Sequence, residues 1–203
     1  MTDVAIIAGG GANIASLHFA LERLGASSVL TTDHTVISAA PRVILPGVGA
    51  AEDAMQKLKS AGLDKLIPTL QQPLLGICLG MQLLFDASEE DDTPCLGIMA
   101  GTARLLEVAA DQPVPHMGWN QVRKRAAPAL LDGIADDTYF YFVHSYAVDI
   151  ESATIGSSDY GREFTAVAAQ DNFMGTQFHP ERSGKNGAQI LQNFLRMNTQ
   201  ANN

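Results

Sequence analysis

The sequence predicts an α/β fold, a mostly parallel central sheet flanked by helices, with an antiparallel extension. Three observations predict it. Short apolar runs alternate with amphipathic stretches through the first half, the pattern of parallel strands joined by crossover helices. One apolar run ends in a thiol set between two glycines, which reads as a sharp strand-to-helix turn. The second half carries short β-like runs with little helix between them, as antiparallel pairing requires.

Taken in order, residues 4–7 read as a buried strand and residues 14–24 as an amphipathic helix closed by Gly25. Residues 27–31 and 43–45 are further strands, and residues 50–60 and 63–70 are helical. Leu74, Leu75, Gly76 and Ile77 read as a parallel strand buried on both faces. Residues 81–85 then begin a helix. In the second half, residues 103–106, 139–143, 165–170 and 173–178 are strand-like, and residues 186–197 form a last helix. The final six residues read as a frayed tail, leaving one domain over 1–203 with its core between about 4 and 197.

Composition sets limits on function. A chain of 203 residues, 46% hydrophobic and 17% charged, suits one globular domain with a substantial core. A net charge of -9 argues against nucleic acid as a partner. No apolar stretch is long enough to cross a membrane, and the N-terminus lacks the basic start of a secretory signal, so the expected location is cytoplasmic. The five histidines lack metal-ligand spacing, so neither metal nor cofactor is expected. Cys95, after Asp91-Asp-Thr-Pro94, has no chemical context and reads as a bystander.

The chemistry centres on Cys78, in Gly76-Ile-Cys-Leu-Gly80. Gly76 and Gly80 let the backbone crowd around the turn, and the following helix N-terminus favours a thiolate. An isolated cysteine in an apolar run is otherwise a core thiol. A thiolate needs a base with an orienting partner, and His179-Pro-Glu181 offers both. In extended backbone His179 and Glu181 project to the same side, so Glu181 can fix the imidazole tautomer. The competing reading of Glu181 is a helix-capping acid after Pro180. Pro46-Gly-Val-Gly49 follows the strand at 43–45 and allows exposed backbone N–H groups suited to an oxyanion, or else a plain strand-to-helix loop. The run Gly9-Gly-Gly11 lacks both a Lys-Ser/Thr pair and a dinucleotide fingerprint, so it is not a phosphate loop.

Together these three motifs resemble the class I (triad) glutamine amidotransferases, whose sheet is flavodoxin-like, and the likeness runs from Val4 to Met197. Pro115-His-Met-Gly-Trp-Asn120, Tyr139 to Tyr146 and His179 to Gly184 resemble one branch, the glutaminase subunits of imidazole glycerol phosphate synthases. One departure stands out: the family's acidic residue ahead of the N-terminal glycines is Ala8 here.

The resemblance implies Cys78, His179 and Glu181 as a catalytic triad, with the Val48 and Leu79 N–H groups beside Gly47 as the oxyanion hole. It implies Gly49, Gln82, Ser145 and Tyr146 as the glutamine site. Gln82 has the alternative of an ordinary exposed helix residue. His144, at a strand end, is a structural or substrate-wall residue rather than a base or ligand. The partner implied is a barrel-type cyclase in a heterodimer, with Asn13 and Trp119 at the docking surface. Trp119, the single Trp, sits in an expected Gly-Trp-Asn loop and has the alternative of a core aromatic. The competing assignments are an amidotransferase subunit of anthranilate or aminodeoxychorismate synthase and a stand-alone triad amidase.

Overall fold

The computed structural model describes residues 2–8, 14–108 and 112–197. The chain runs β1 (Val4–Ile7), α1 (Ile14–Arg23), β2 (Ser28–Thr31), α2 (His34–Ala39), β3 (Val43–Gly47), α3 (Ala51–Ser60), α4 (Leu63–Leu66), β4 (Leu74–Cys78), α5 (Leu79–Gln82), β5 (Phe85–Ser88), β6 (Thr93–Pro94) and β7 (Met99–Leu105). It continues β8 (His116–Lys124), β9 (Thr138–His144), β10 (Tyr146–Val148), β11 (Thr154–Tyr160), β12 (Arg162–Gln170), β13 (Phe173–Thr176) and α6 (Gly184–Arg196).

Nine strands form the main sheet in the order β2-β1-β3-β4-β13-β12-β11-β8-β9. From β2 through β13 every pairing is parallel, and from β13 to β9 every pairing is antiparallel. The predicted α/β sheet with an antiparallel extension is therefore present. A second sheet, β10-β7-β5-β6, lies beside it.

The central strands are buried on both faces, and their two-residue alternation supplies two cores. Val4 and Ile6 of β1 pack with Leu17 and Leu21 of α1 and with Ile190 and Phe194 of α6. Ala5 and Ile7 face the other way, onto Ile37 of α2 and Met55 and Leu58 of α3. Asp33 starts α2 by accepting from the N–H groups of Thr35 and Val36 at 2.7 and 3.2 Å.

Three local expectations change. The helix expected over 81–85 is a single turn, α5, because Phe85 already begins β5 and pairs with Met99. The helix expected over 63–70 stops at Leu66 and tightens into a 3₁₀ turn at Ile67–Thr69, where Pro68 lacks an N–H. The expected loop around Trp119 is part of β8, in unbroken register with β9 from His116↔His144 to Val122↔Thr138. The frayed tail expected over 198–203 lies outside the described residues.

Candidate active site

Cys78 is the last residue of β4 and the cap of α5, with φ 54° and ψ -114°. That positive φ is strained for a residue with a Cβ, and the neighbouring glycines make it possible. A Cβ at Gly80 would collide with the Leu45 carbonyl, one at Gly76 would lie 2.6 Å from the Gly80 carbonyl oxygen, and one at Gly47 would lie 2.8 Å from the Gly80 nitrogen. The elbow is thus pressed against β3, whose Gly47 pairs with Cys78. Cys78 is only 6% exposed.

His179 follows β13, the neighbour of β4, and is 2% exposed. Its Nδ1 lies 2.8 Å from Oε1 of Glu181. Glu181 belongs to a 3₁₀ turn, Pro180–Arg182, so the expected extended geometry is absent and the turn brings the carboxylate back to the ring. The His179 Nε2 is buried and makes no hydrogen bond of ordinary geometry, yet the Cys78 sulfur is near enough to act on its charge. Burial pulls the His179 pKa down, but the nearby Cys78 sulfur and the hydrogen-bonded Glu181 carboxylate outweigh it and carry it up to about 10. The His179 backbone is also fixed: its N–H donates to the Tyr141 carbonyl at 3.0 Å, and its carbonyl accepts from the Ser183 hydroxyl at 2.7 Å.

A cavity of about 350 Å³ opens onto Cys78 and His179, and Val48, Gly49, Leu79, Gln82, Ser145 and Tyr146 all line it. The structure thus places ten of the sequence-derived residues in one place, Gly47 and Glu181 lying just behind the wall. Thiol, imidazole, carboxylate and backbone donors around one cavity can carry out acyl transfer from a small amide.

Comparison with known proteins points the same way. The family model described as glutamine amidotransferase class-I matches residues 10–198. This chain belongs to the class-I glutamine amidotransferase family. Among curated relatives, the imidazole glycerol phosphate synthase subunit HisH of Xylella fastidiosa is 50% identical over 197 residues, covering 97% of this chain and 98% of the relative. The HisH subunit of Xanthomonas axonopodis pv. citri matches equally, at 50% over the same shares. Among solved structures, a glutamine amidotransferase superposes with a TM-score of 0.73 at 16% identity, covering 95% of this chain and 97% of that one. A glutamine amidotransferase from Thermotoga maritima gives 0.68 at 14% identity, covering 98% and 99%.

The structure decides between the alternative readings of several residues of this amidotransferase. Gln82 is not an exposed helix residue; it is 4% exposed, and its Nε2 donates to the Tyr146 carbonyl at 2.8 Å and to Gln177 Oε1 at 2.9 Å. Its two N–H groups are thereby spent, so it can offer the cavity only its carbonyl oxygen. His144 is buried, with Nδ1 2.8 Å from the Tyr146 carbonyl and Nε2 3.0 Å from His116 Nδ1. Burial lowers both imidazoles, His116 to about 4 and His144 to about 3, so the pair is neutral. Trp119 is 55% exposed on β8, outside the core, and meets the Tyr141 ring edge-on at 6.0 Å. Asn13 and the glycine run before it lie outside the described residues.

Glu90 was not singled out from the sequence. It sits in the acidic stretch Glu89-Glu90-Asp91-Asp92, which looks like an ordinary solvated loop. In the structure Glu90 lines the cavity and accepts from the Ala51 N–H at 2.8 Å, which holds it next to Gly49. Only the chain's folding of α3 against that loop reveals it.

Proposed function

We propose that this chain is the glutaminase subunit of imidazole glycerol phosphate synthase, hydrolysing glutamine to glutamate and ammonia for a barrel-type cyclase partner. The observation that carries the reading is the Cys78-His179-Glu181 set around one cavity, with the His179–Glu181 contact at 2.8 Å, in a chain 50% identical to HisH subunits over nearly its full length.

In this mechanism the Cys78 sulfur attacks the side-chain amide carbon of glutamine. The developing oxyanion sits between the backbone N–H groups of Val48 and Leu79, each such donor contributing roughly 3 kcal/mol. Burial of His179 alone would strip its proton, but Cys78 and Glu181 lift its pKa to about 10, so it holds the proton at neutral pH and gives it to the departing ammonia. Water then attacks the thioester with His179 as base, releasing glutamate. Glu90 supplies a carboxylate for the substrate's α-ammonium group, and Gly49, Gln82, Ser145 and Tyr146 complete the glutamine site.

Ammonia released into bulk water is protonated and lost, so the reaction gains from a docked acceptor. The proposed acceptor is the cyclase, which takes a phosphoribulosyl-formimino aminoimidazole nucleotide to imidazole glycerol phosphate and an aminoimidazole carboxamide ribotide. Trp119 is the proposed anchor of a heterodimer interface, with exposed Met117 beside it on β8 and Tyr139 on β9. The test is reconstitution. The chain plus a barrel-type cyclase and its nucleotide should form imidazole glycerol phosphate from glutamine. An active glutaminase that neither binds nor supplies that cyclase would leave the stand-alone amidase, or the anthranilate-type subunit, as the reading.

A further inference from the structure

Gln177 is completely buried, two residues before His179, at the end of β13. Past β13 the chain bends at Gln177 and Phe178, and both Gln177 and His179 reach Cys78 from this one segment. Its Nε2 lies 3.8 Å from the Cys78 sulfur. Its Oε1 accepts from Gln82 Nε2 at 2.9 Å.

The orientation of this amide is fixed by chemistry rather than by choice of rotamer. The Tyr146 carbonyl can only accept, so the group facing it at 2.8 Å must be the Gln82 NH₂. Gln82 then donates its second hydrogen to Gln177, which must present its oxygen there and its NH₂ to the sulfur. The same carbonyl takes the Nδ1–H of His144 at 2.8 Å, so His144 Nε2 accepts from His116 Nδ1 at 3.0 Å. The His116 Nε2 then accepts from Asn120 Nδ2 at 3.4 Å. One carbonyl thus sets the direction of every bond from β8 to the nucleophile.

The sulfur consequently has two contacts of opposite kind. The Val143 carbonyl, 3.7 Å away, accepts from the thiol S–H, and Gln177 donates to the sulfur. The first suits the protonated form and the second suits the anion.

We propose that Gln177 is a positioning residue for the nucleophile, donating to the Cys78 thiolate and holding the sulfur for attack. It touches neither substrate nor leaving group in this reading, which rests on Cys78 being the nucleophile.

The test compares the full-length chain with Gln177→Met, which removes the donor at similar volume, and Gln177→Glu, which keeps the shape and the bond from Gln82 but turns oxygen toward the sulfur. Alkylation of Cys78 by iodoacetamide is followed on its peptide by mass spectrometry, alongside glutamine hydrolysis and thermal melting. A lost hydrogen bond to a charged group predicts about tenfold slower alkylation at neutral pH for Gln177→Met, and a larger loss for Gln177→Glu. The deficit should shrink at alkaline pH, and kcat should fall with KM little changed. If Gln177→Met fails to fold, the isosteric Gln177→Glu carries the test. Wild-type alkylation at neutral pH in a folded Gln177→Glu variant would overturn the assignment, since a purely space-filling glutamine tolerates that change. Alkylation needs no glutamine and no partner. A reactive Cys78 in a chain that hydrolyses no glutamine even with the cyclase and its nucleotide present would therefore refute the glutaminase reading and leave the Gln177 contact standing.

Discussion

At the scale of single residues, Cys78 combines strain with chemistry. Its φ of 54° is a conformation that costs a side-chain-bearing residue about 1–3 kcal/mol, and the packing of Gly47, Gly76 and Gly80 enforces it. Cys78→Ala should abolish glutamine hydrolysis while leaving the chain folded. Cys78→Gly should be equally inactive and melt at a higher temperature than Cys78→Ala, because glycine accepts positive φ freely. Residual glutaminase activity in Cys78→Ala would sink the mechanism, and equal melting temperatures would mean the elbow is unstrained. For Glu181, the 2.8 Å contact with His179 predicts that Glu181→Gln lowers turnover more than it raises KM, and by less than Cys78→Ala does. With one of the groups that raise His179 gone, the alkaline limb of activity should move to lower pH. A pH–rate profile checks this, and an unchanged turnover number and limb would reduce Glu181 to a helix-start acid. Cys78, His179 and Glu181 were legible in the sequence because small residues and proline around them announce unusual backbone. Gln177 and Glu90 were not, because a glutamine in a strand and a glutamate in an acidic loop are common, and only their tertiary neighbours distinguish them.

At the scale of elements, the parallel half was legible and much of the antiparallel half was not. β1, β3 and β4 are uniformly apolar because both their faces are covered, so composition alone marks them. β8 reads His-Met-Gly-Trp-Asn-Gln-Val-Arg-Lys, with weak strand propensity and a wet outer face, and it exists because β9 and β11 pair with it. Its inward His116 is the cost of that placement. The ring stacks between Phe142, at 5.1 Å between centroids, and Tyr160, at 4.0 Å, and it pairs with His144. Burial lowers both imidazoles from 6.5, His116 to about 4 and His144 to about 3. The unfolded chain therefore binds their protons first, so their contribution is full above pH 6.5 and is lost as pH falls toward 4 and 3. Melting temperature against pH should show that loss, and the double variant His116→Phe, His144→Phe should flatten it. An identical acid slope in the double variant would place the acid sensitivity in other groups.

At the scale of the whole molecule, the sheet joins the outer face to His179, the proposed base. Trp119 stands exposed on β8 and packs edge-on against Tyr141 of β9, over which Arg182 also lies at 5.5 Å. The Tyr141 backbone then holds both ends of the His179 turn, its carbonyl accepting from the His179 N–H at 3.0 Å and its N–H donating to the Ser183 hydroxyl at 2.9 Å. A partner seated on Trp119 would press on β9, and β9 carries the backbone on which the base is mounted. A flip of the Gly47-Val48 peptide would be a candidate two-state element for such coupling, glycine making it inexpensive. Because Gly47 is crowded by Gly80 and Leu79, Gly47→Pro would disturb the elbow whether or not a flip occurs, and Trp119→Ala is the cleaner probe. The isolated chain should be a poor glutaminase, and the cyclase with its nucleotide should raise turnover by orders of magnitude. Trp119→Ala should leave the unstimulated rate and the melting temperature close to wild type, since the ring is 55% exposed, yet weaken both binding and stimulation. The measurement is glutamate release at increasing cyclase concentration, which separates affinity from maximal stimulation. Full activity of the isolated chain, indifferent to the cyclase and to Trp119→Ala, would overturn the coupling, because an outer face that transmits nothing cannot time the release of ammonia.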